Sequence, residues 1–156
     1  MYPVSDQFDN LSNRLQAAFN RLAKDEHLWQ SDLYGALRDA TTSLASTLEL
    51  ARASVWLLNE ERSALECQLL FRAEQGSFES GARLLVTECP GLFGALNEGR
   101  LLDASDVVND PRLAEIYGHH LRPHGVGATM IATLNEAGRL SGVLCLEHVG
   151  SPRLWS

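Results

Sequence analysis

The spacing of apolar residues changes about a third of the way along the chain, from the three-and-four pattern of a helix to the strict alternation of strands. Before the change, Leu33, Leu37, Ala40, Leu44 and Leu48 form a stripe on one face of a predicted helix. After it, apolar and polar residues alternate in several short runs. A chain of this kind must pack helices against a sheet, so we expect a mixed α and β fold.

Two amphipathic helices are predicted before the strands. The earlier one covers residues 6–22, and we assign residues 1–30 to this N-terminal helical segment. The second helix begins at Ser31 or Asp32, because either side chain can cap a helix. Their apolar stripes can be buried within one domain or against a second copy of the chain, and the sequence leaves both alternatives open.

Alternating residues predict two antiparallel hairpins. Residues 55–58 and 65–72 alternate on either side of a polar turn. Residues 129–134 and 140–147 do the same around an Asn-Glu-Ala-Gly turn. The first and last parts of the strand-rich region are therefore predicted to be paired strands.

The stretch between the hairpins contains short elements that begin or end at proline and glycine. Strands at 83–87 and 100–104 flank a predicted helix at 90–99, and Pro111 opens a second helix that reaches about Leu121. Strands that do not alternate regularly with helices indicate an antiparallel sheet with helices at its sides. The predicted fold class is therefore α+β.

Charge and cysteine content exclude several classes of protein. The formal net charge of −7 disfavours binding to nucleic acid or to an anionic membrane surface. Cys67, Cys89 and Cys145 are odd in number and widely spaced, which is typical of a reducing compartment. The first residues do not resemble a signal peptide, and no run of eighteen apolar residues occurs. We expect a soluble cytoplasmic protein without direct membrane contact.

Three short motifs, in order, resemble the GAF domain family, and the resemblance extends from about Leu33 to His148. They are an aspartate-rich strand end, a Gly-Val-x-(Ala/Ser)-(Ser/Thr) strand entry and a Gly-Val-Leu final strand. In this chain the motifs are Leu101-Leu102-Asp103-Ala104-Ser105-Asp106-Val107 with Asp110-Pro111-Arg112, then Gly125-Val126-Gly127-Ala128-Thr129-Met130, then Ser141-Gly142-Val143-Leu144-Cys145.

The resemblance implies a fold and a role. It implies a six-stranded antiparallel sheet with the N-terminal helices on one face and a small-molecule pocket on the other, roofed by the two middle helices and their loops. Residues 31–156 would then form a sensory domain that regulates other domains and is not an enzyme. Many such domains form homodimers through their terminal helices, and we expect the same here.

The last residues are similar to the end of GAF domains that precede a diguanylate cyclase or a histidine kinase in bacterial signalling proteins. This similarity covers residues 145–155. No closing helix follows Trp155, so we expect that the domain is truncated before its C-terminal helix and that an output domain is missing.

The family pocket predicts eight residues as ligand contacts. Aromatic and aliphatic side chains would enclose the ligand and carboxylates would orient it. Phe93, Leu96 and Leu121 can equally be core residues, and Asp103 and Asp106 can equally cap turns. The predicted ligand-binding residues are Phe93, Leu96, Asp103, Asp106, Tyr117, Leu121, Met130 and Ala132.

The ligand itself stays unidentified in the sequence. Residues 103–107 resemble a segment of phytochromes, but alignment through them puts Ile116 where the bilin-attaching cysteine would stand, so no covalent bilin is expected. The signature of the cyclic-nucleotide branch is not found. His120 and His124 are four residues apart, yet Pro123 interrupts the helix between them, so no metal site is predicted.

Two other functions are compatible with the sequence. Some GAF domains reduce free methionine sulfoxide with cysteines, and Cys89 at a helix start is the candidate for a reactive thiol. Cys67 and Cys145 fall on predicted strands among apolar neighbours, where thiols are usually inert. Alternatively, side chains fill the pocket and the domain acts as a dimerising spacer.

Overall fold

The computed structural model describes residue 13, residues 26–99 and residues 101–155. Apart from Asn13, the helix predicted at 6–22 lies outside the described residues. The described elements comprise three α-helices and seven strands. They are α1 (Glu26–Leu48), β1 (Arg52–Leu58), β2 (Ala64–Arg72), β3 (Ser77–Glu79), β4 (Arg83–Leu85), α2 (Pro90–Glu98), β5 (Leu101–Ala104), α3 (Ala114–Ile116), β6 (Val126–Glu136) and β7 (Arg139–Val149).

The sheet is antiparallel at every pairing, which confirms the predicted α+β class. Its order is β3-β2-β1-β7-β6-β5, and β4 pairs with β2. Because β3 and β4 pair with opposite ends of β2, the sheet is six strands wide although it contains seven. The strand β3 was not predicted, since Phe78 is its only apolar residue and three residues show no alternation.

Helix α1 covers one face of the sheet. It begins at Glu26, before the predicted cap, and ends where Glu49 adopts a positive φ of 54°. Leu37, Leu44 and Leu48 of its apolar stripe are buried against this face. Side chains from four strands complete that part of the core: Ala53, Val55, Leu69, Ala128, Met130, Ala132, Leu134, Leu144 and Leu146.

Short helices and loops cover the opposite face. Helix α2 lies there, and the single helix predicted after Pro111 is instead a succession of short turns. A 3₁₀ turn (Pro111–Leu113), α3, a π turn (Tyr117–Leu121) and a 3₁₀ turn (Arg122–His124) follow one another. Pro111 stands in the first turn, where proline is tolerated, and Pro123, which has no backbone N–H, limits the stretch at its other end.

The two parts of this cover are joined by a hydrogen bond. The backbone N–H of Gly91, in the first turn of α2, donates to Glu115 Oε1 at 2.7 Å. A carboxylate at this end of a helix also interacts favourably with the helix dipole. Glu115 therefore fixes α3 against α2.

Residues 150–155, called here the C-terminal strap, run from the end of β7 across the edge of the domain. The Arg153 guanidinium donates through Nη2 to the Leu48 carbonyl at 2.9 Å, and its backbone N–H donates to the Ser105 carbonyl at 2.9 Å. Trp155 is buried in the core on the α1 side. The strap therefore ties the end of α1 to the end of β5.

Within residues 26–99 and 101–155, no helix combines the length and the apolar character that a membrane span needs.

Candidate functional site

A cavity of about 130 Å³ lies between the sheet and the short helices. Its floor is formed by β1, β2, β6 and β7, and its roof by α2 and the segment around α3. Glu79, Ala82 and His124 are the exposed members of its lining and mark its mouth. The other lining residues are Arg52, Ser54, Trp56, Leu65, Leu70, Leu84, Leu92, Leu96, Ile116, His120, Leu121, Thr129, Ile131, Val143, Cys145 and Glu147.

Strand register gives the floor a polar end and an apolar end. Arg52 of β1 pairs with Glu147 of β7, which pairs with Thr129 of β6, and all three face the cavity. Alternate residues of a strand share a face, so every second residue of β1 lines the cavity. Four residues further along, Trp56 lies beside Val143 in an apolar row. A ligand in this cavity would meet charge at one end and hydrocarbon at the other.

Arg52 and Glu147 form an ion pair in the polar row. The Arg52 Nε donates to Glu147 Oε1 at 2.9 Å, and the two side chains are only 11% and 10% exposed. Burial raises the pKa of Glu147, and the neighbouring Arg52 charge opposes that rise. The pair is the only ion pair between cavity-lining residues in the described part of the chain.

Two histidines lie on the roof side of the cavity. Partial burial lowers the pKa of His120, and the His119 charge adds to that effect. The pKa of His124 is also lowered, first by partial burial and then by the charges of Arg52 and Arg72. Both imidazoles are therefore neutral at pH 7. Among the described residues, no three His, Cys, Asp or Glu side chains are grouped closely enough to hold a metal ion.

Two further polar side chains of the floor are occupied by the protein itself. Ser54 Oγ accepts a hydrogen bond from the Trp56 indole N–H at 2.9 Å. The Thr129 hydroxyl donates to the Leu146 carbonyl at 3.0 Å. By contrast, the Arg52 terminal nitrogens and the second Glu147 oxygen make no hydrogen bond with the described residues. These atoms are available to a ligand.

The structure brings some of the predicted ligand contacts to this cavity. Leu96 and Leu121 lie in its wall. Phe93 is buried, and Tyr117 half-buried, in the same apolar cluster without lining the cavity. For all four residues, contact with a ligand stays a prediction.

The other predicted contacts lie elsewhere. Met130 and Ala132 face α1 on the opposite side of the sheet from this cavity. Asp103 is exposed on β5, and Asp106 accepts a hydrogen bond from Asn109 Nδ2 at 2.7 Å outside the cavity lining. Alternation on β6 places Thr129 and Ile131 in the cavity instead.

Sequence reasoning missed the charged residues of the cavity. Arg52 falls between the predicted helix stripe, which ends at Leu48, and the first predicted strand, and Glu147 is the last residue of a predicted strand. The sequence did contain a signal, because strand alternation places both charged residues on a face that is otherwise apolar. Charged side chains there are rarely left unpaired, which would have directed attention to both.

The cysteines do not support the reductase alternative. Burial raises the pKa of Cys89 to about 11 and that of Cys67 to about 12. The pKa of Cys145 is also raised by burial, although its side chain keeps some accessible surface because it lines the cavity. Since the thiolate is the reactive form, a raised pKa makes a thiol a poor nucleophile. The Cys89 thiol also donates to the Leu85 carbonyl at 3.1 Å.

Comparison with known sequences identifies a family match and a curated relative. The family described as GAF domain matches residues 32–156. Protein SDS23 of Podospora anserina is 34% identical over 132 residues, which are 81% of this chain and 25% of that protein. The chain therefore spans about a quarter of the length of this curated relative.

Solved structures show the same fold at low sequence identity. The GAF domain of a phosphoenolpyruvate-protein phosphotransferase from Acinetobacter is 14% identical with a TM-score of 0.59, over 96% of this chain and 81% of that chain. The GAF domain of PixJ from Thermosynechococcus elongatus, in its blue-light absorbing form, is 19% identical with a TM-score of 0.56, over 92% and 74%. The chromophore-binding domain of an unusual bacteriophytochrome from R. palustris is 15% identical with a TM-score of 0.63, over 97% and 55%.

Proposed function

Since the chain belongs to the GAF domain family, we propose that it is the small-molecule-sensing domain of a bacterial signalling protein in the cytoplasm. In this proposal the domain has no catalytic activity of its own and controls an attached output domain, either a diguanylate cyclase or a histidine kinase. The observation that carries the proposal is the cavity, which joins a buried ion pair to an apolar chamber. Concave, mostly apolar sites with few polar groups are typical of ligand pockets.

The position of the ion pair supports a route from ligand to output. Arg52 begins β1, four residues after the end of α1 at Leu48. Glu147 lies near the end of β7, just before the C-terminal strap. A ligand that contacts this pair therefore acts where both helix and strap join the sheet.

The C-terminal strap connects the end of β7 to the end of α1. Arg153 donates to the carbonyl oxygens at the C-terminal end of α1, so a shift of β7 is passed to the helix. A ligand can change the output only by binding one arrangement of helix and strap more tightly than another. We propose that the Arg153 contact differs between the two arrangements.

We also propose that the signalling unit is a homodimer that forms through terminal helices. The buried part of the α1 stripe packs against its own sheet, so it is not available to a partner. The dimer contact would then use the exposed face of α1 and the helix predicted at residues 6–22. A mass that rises with protein concentration in light scattering would support this arrangement, and a monomer at all concentrations would contradict it.

Native mass spectrometry of the purified chain tests the sensing proposal. We expect an additional small mass on the protein, which is lost in Ile131→Phe because the larger ring fills the cavity from its floor. Leu101→Phe is the matched control, since Leu101 is exposed on β5. A bare protein that also takes up nothing from a cell extract would contradict sensing and favour a dimerising spacer.

Control of an output domain is tested in the full-length protein. We expect the activity of the attached domain to differ between ligand-bound and ligand-free samples, and the Ile131→Phe variant to be insensitive to ligand. Equal activity in both samples, with equal hydrogen exchange in α1, would contradict the proposed control.

A further inference from the structure

We propose that the cavity binds a neutral, planar, single-ring compound that carries a hydrogen-bond donor beside an acceptor, as an aromatic carboxamide does. This inference rests on the proposed sensing function and names the class of ligand for the same site. It follows from the volume of the cavity, the charge balance of its lining and the hydrogen-bonding groups that its side chains leave open.

The volume limits the ligand to about one ring. The cavity holds about 130 Å³. An apolar cavity of about 150 Å³ accepts a benzene molecule, whereas drug-sized ligands occupy pockets of roughly 300–1,000 Å³. A six-membered ring with one small substituent fits this space, and a nucleotide or a tetrapyrrole does not fit it in the arrangement described.

The charge balance of the lining favours a neutral ligand. Arg52 and Glu147 compensate each other at 2.9 Å. Glu79, at the mouth, has the Arg72 Nε 2.8 Å from its carboxylate, although that N–H points away from the oxygen. An anion or a cation would bring an uncompensated charge among mostly buried side chains, which is costly.

The open hydrogen-bonding groups belong to two side chains that contact each other. Arg52 uses Nε for Glu147 and offers its terminal N–H groups as donors. Glu147 uses Oε1 and offers its other oxygen as an acceptor. A carboxamide presents a carbonyl to the donors and an N–H to the acceptor, so it satisfies both without a change of net charge.

The rest of the cavity suits an aromatic ring. Beyond the polar row, the ring would lie against Trp56 and Ile131 of the sheet and beneath Leu96 and Leu121 of the roof. Enclosure by apolar side chains favours a flat hydrocarbon body, and the polar row fixes its orientation.

Four probes of nearly the same shape test the inference on the unmodified chain. Benzamide is neutral, benzoate is its anionic analogue, benzamidine is its cationic analogue, and toluene lacks the polar group. Titration calorimetry at pH 7.5, with amide NMR signals of the β1, β6 and β7 floor followed in parallel, measures affinity and location. We expect benzamide to bind at least tenfold more tightly than each of the other three.

Variants then change the charge of the lining by one unit. Glu147→Gln keeps an acceptor for Arg52 and leaves one net positive charge, so we expect the preference of benzoate over benzamide to rise at least tenfold. Glu66→Gln is the matched control, because Glu66 pairs with Arg83 on the surface and does not line the cavity. In Glu66→Gln the ratio of benzoate affinity to benzamide affinity is expected to equal that of the unmodified chain. Circular dichroism checks that each variant is folded.

Two outcomes on the unmodified chain overturn the inference. The first is benzoate, benzamidine or toluene binding as tightly as benzamide at the cavity, which leaves the sensing function standing with a different ligand class. The second is no binding by any probe. The retained mass in native mass spectrometry reports on sensing independently, so failure of the ligand class and failure of the proposed function are distinguishable.

Discussion

At the scale of single residues, Arg52 and Glu147 depend on each other. Each is nearly buried, and each supplies the opposite charge that makes the burial of its neighbour tolerable. Such a pair adds little net stability compared with apolar residues of similar size. Loss of one partner alone leaves a charge that neither water nor protein compensates.

A double-mutant cycle measures this dependence. We expect Glu147→Leu alone to lower the free energy of unfolding by about 3–5 kcal/mol, because Arg52 is left unpaired. Arg52→Met combined with Glu147→Leu is expected to lie within about 1 kcal/mol of the unmodified chain. Urea denaturation of the unmodified chain, the two single variants and the double variant checks the values. Additive losses in the double variant would show that the two side chains do not act as a pair.

Particular residues show how far the sequence predicts the site. Alternation correctly separates Met130 and Ala132 from Thr129 and Ile131 as two sets, but β6 is buried on both faces. The hydrophobic pattern therefore carries no information about which set faces the cavity. The pairing of Arg52 with Glu147 joins residues that are 95 positions apart, and no local pattern contains that contact.

At the scale of elements, the strongest predictions came from long periodic segments. The two hairpins and α1 were predicted because several turns or several alternations repeat the same signal. The segment after Pro111 was predicted as one helix, yet it forms four short turns, which the local spacing of apolar residues does not report. β3 exists only because three residues find partners on β2.

Glycine positions in these elements provide a matched pair of substitutions. Gly142 of β7 pairs with Leu57, and a Cβ there would collide with the Trp56 carbonyl oxygen and the Leu57 side chain. Gly142→Ala is expected to lower the free energy of unfolding by about 2 kcal/mol or more. A Cβ at Gly94, in the middle of α2, meets nothing within 4 Å. Gly94→Ala is expected to raise the free energy of unfolding by about 0.5–1 kcal/mol.

Thermal and urea unfolding of the two variants tests this contrast. Equal effects of both alanines would show that β1 and β7 do not approach each other as closely as described. A loss of stability in Gly94→Ala would indicate an unrecognised contact on the outer side of α2.

At the scale of the whole molecule, the C-terminal strap makes one unit of parts that are distant in sequence. Arg153 lies 105 positions from Leu48, whose carbonyl oxygen it binds. Carbonyls in the last turn of a helix have no partner within the helix, so an arginine from elsewhere stabilises that end. The stability of the α1 end therefore depends on residues that follow the last strand.

Removal of this contact tests the dependence. We expect Arg153→Met to speed hydrogen exchange in peptides covering residues 44–50, at a cost of about 1 kcal/mol in the free energy of unfolding. Arg139→Met is the matched control, because Arg139 is exposed at the start of β7, away from the strap. Unchanged exchange at 44–50 in Arg153→Met would show that the strap does not hold the helix end.

The central position of the β1–β7 pairing also has a consequence for the nascent chain. Arg52 and Glu147 are separated by 95 residues, so at roughly 5–20 residues per second β1 leaves the ribosome roughly 5–20 s before β7. During this interval β1 has only β2 as a strand partner, so only the β1 and β2 part of the cavity floor can form. The centre of the sheet is closed late, when the β6–β7 hairpin, the last part of the sheet to be synthesised, docks on β1.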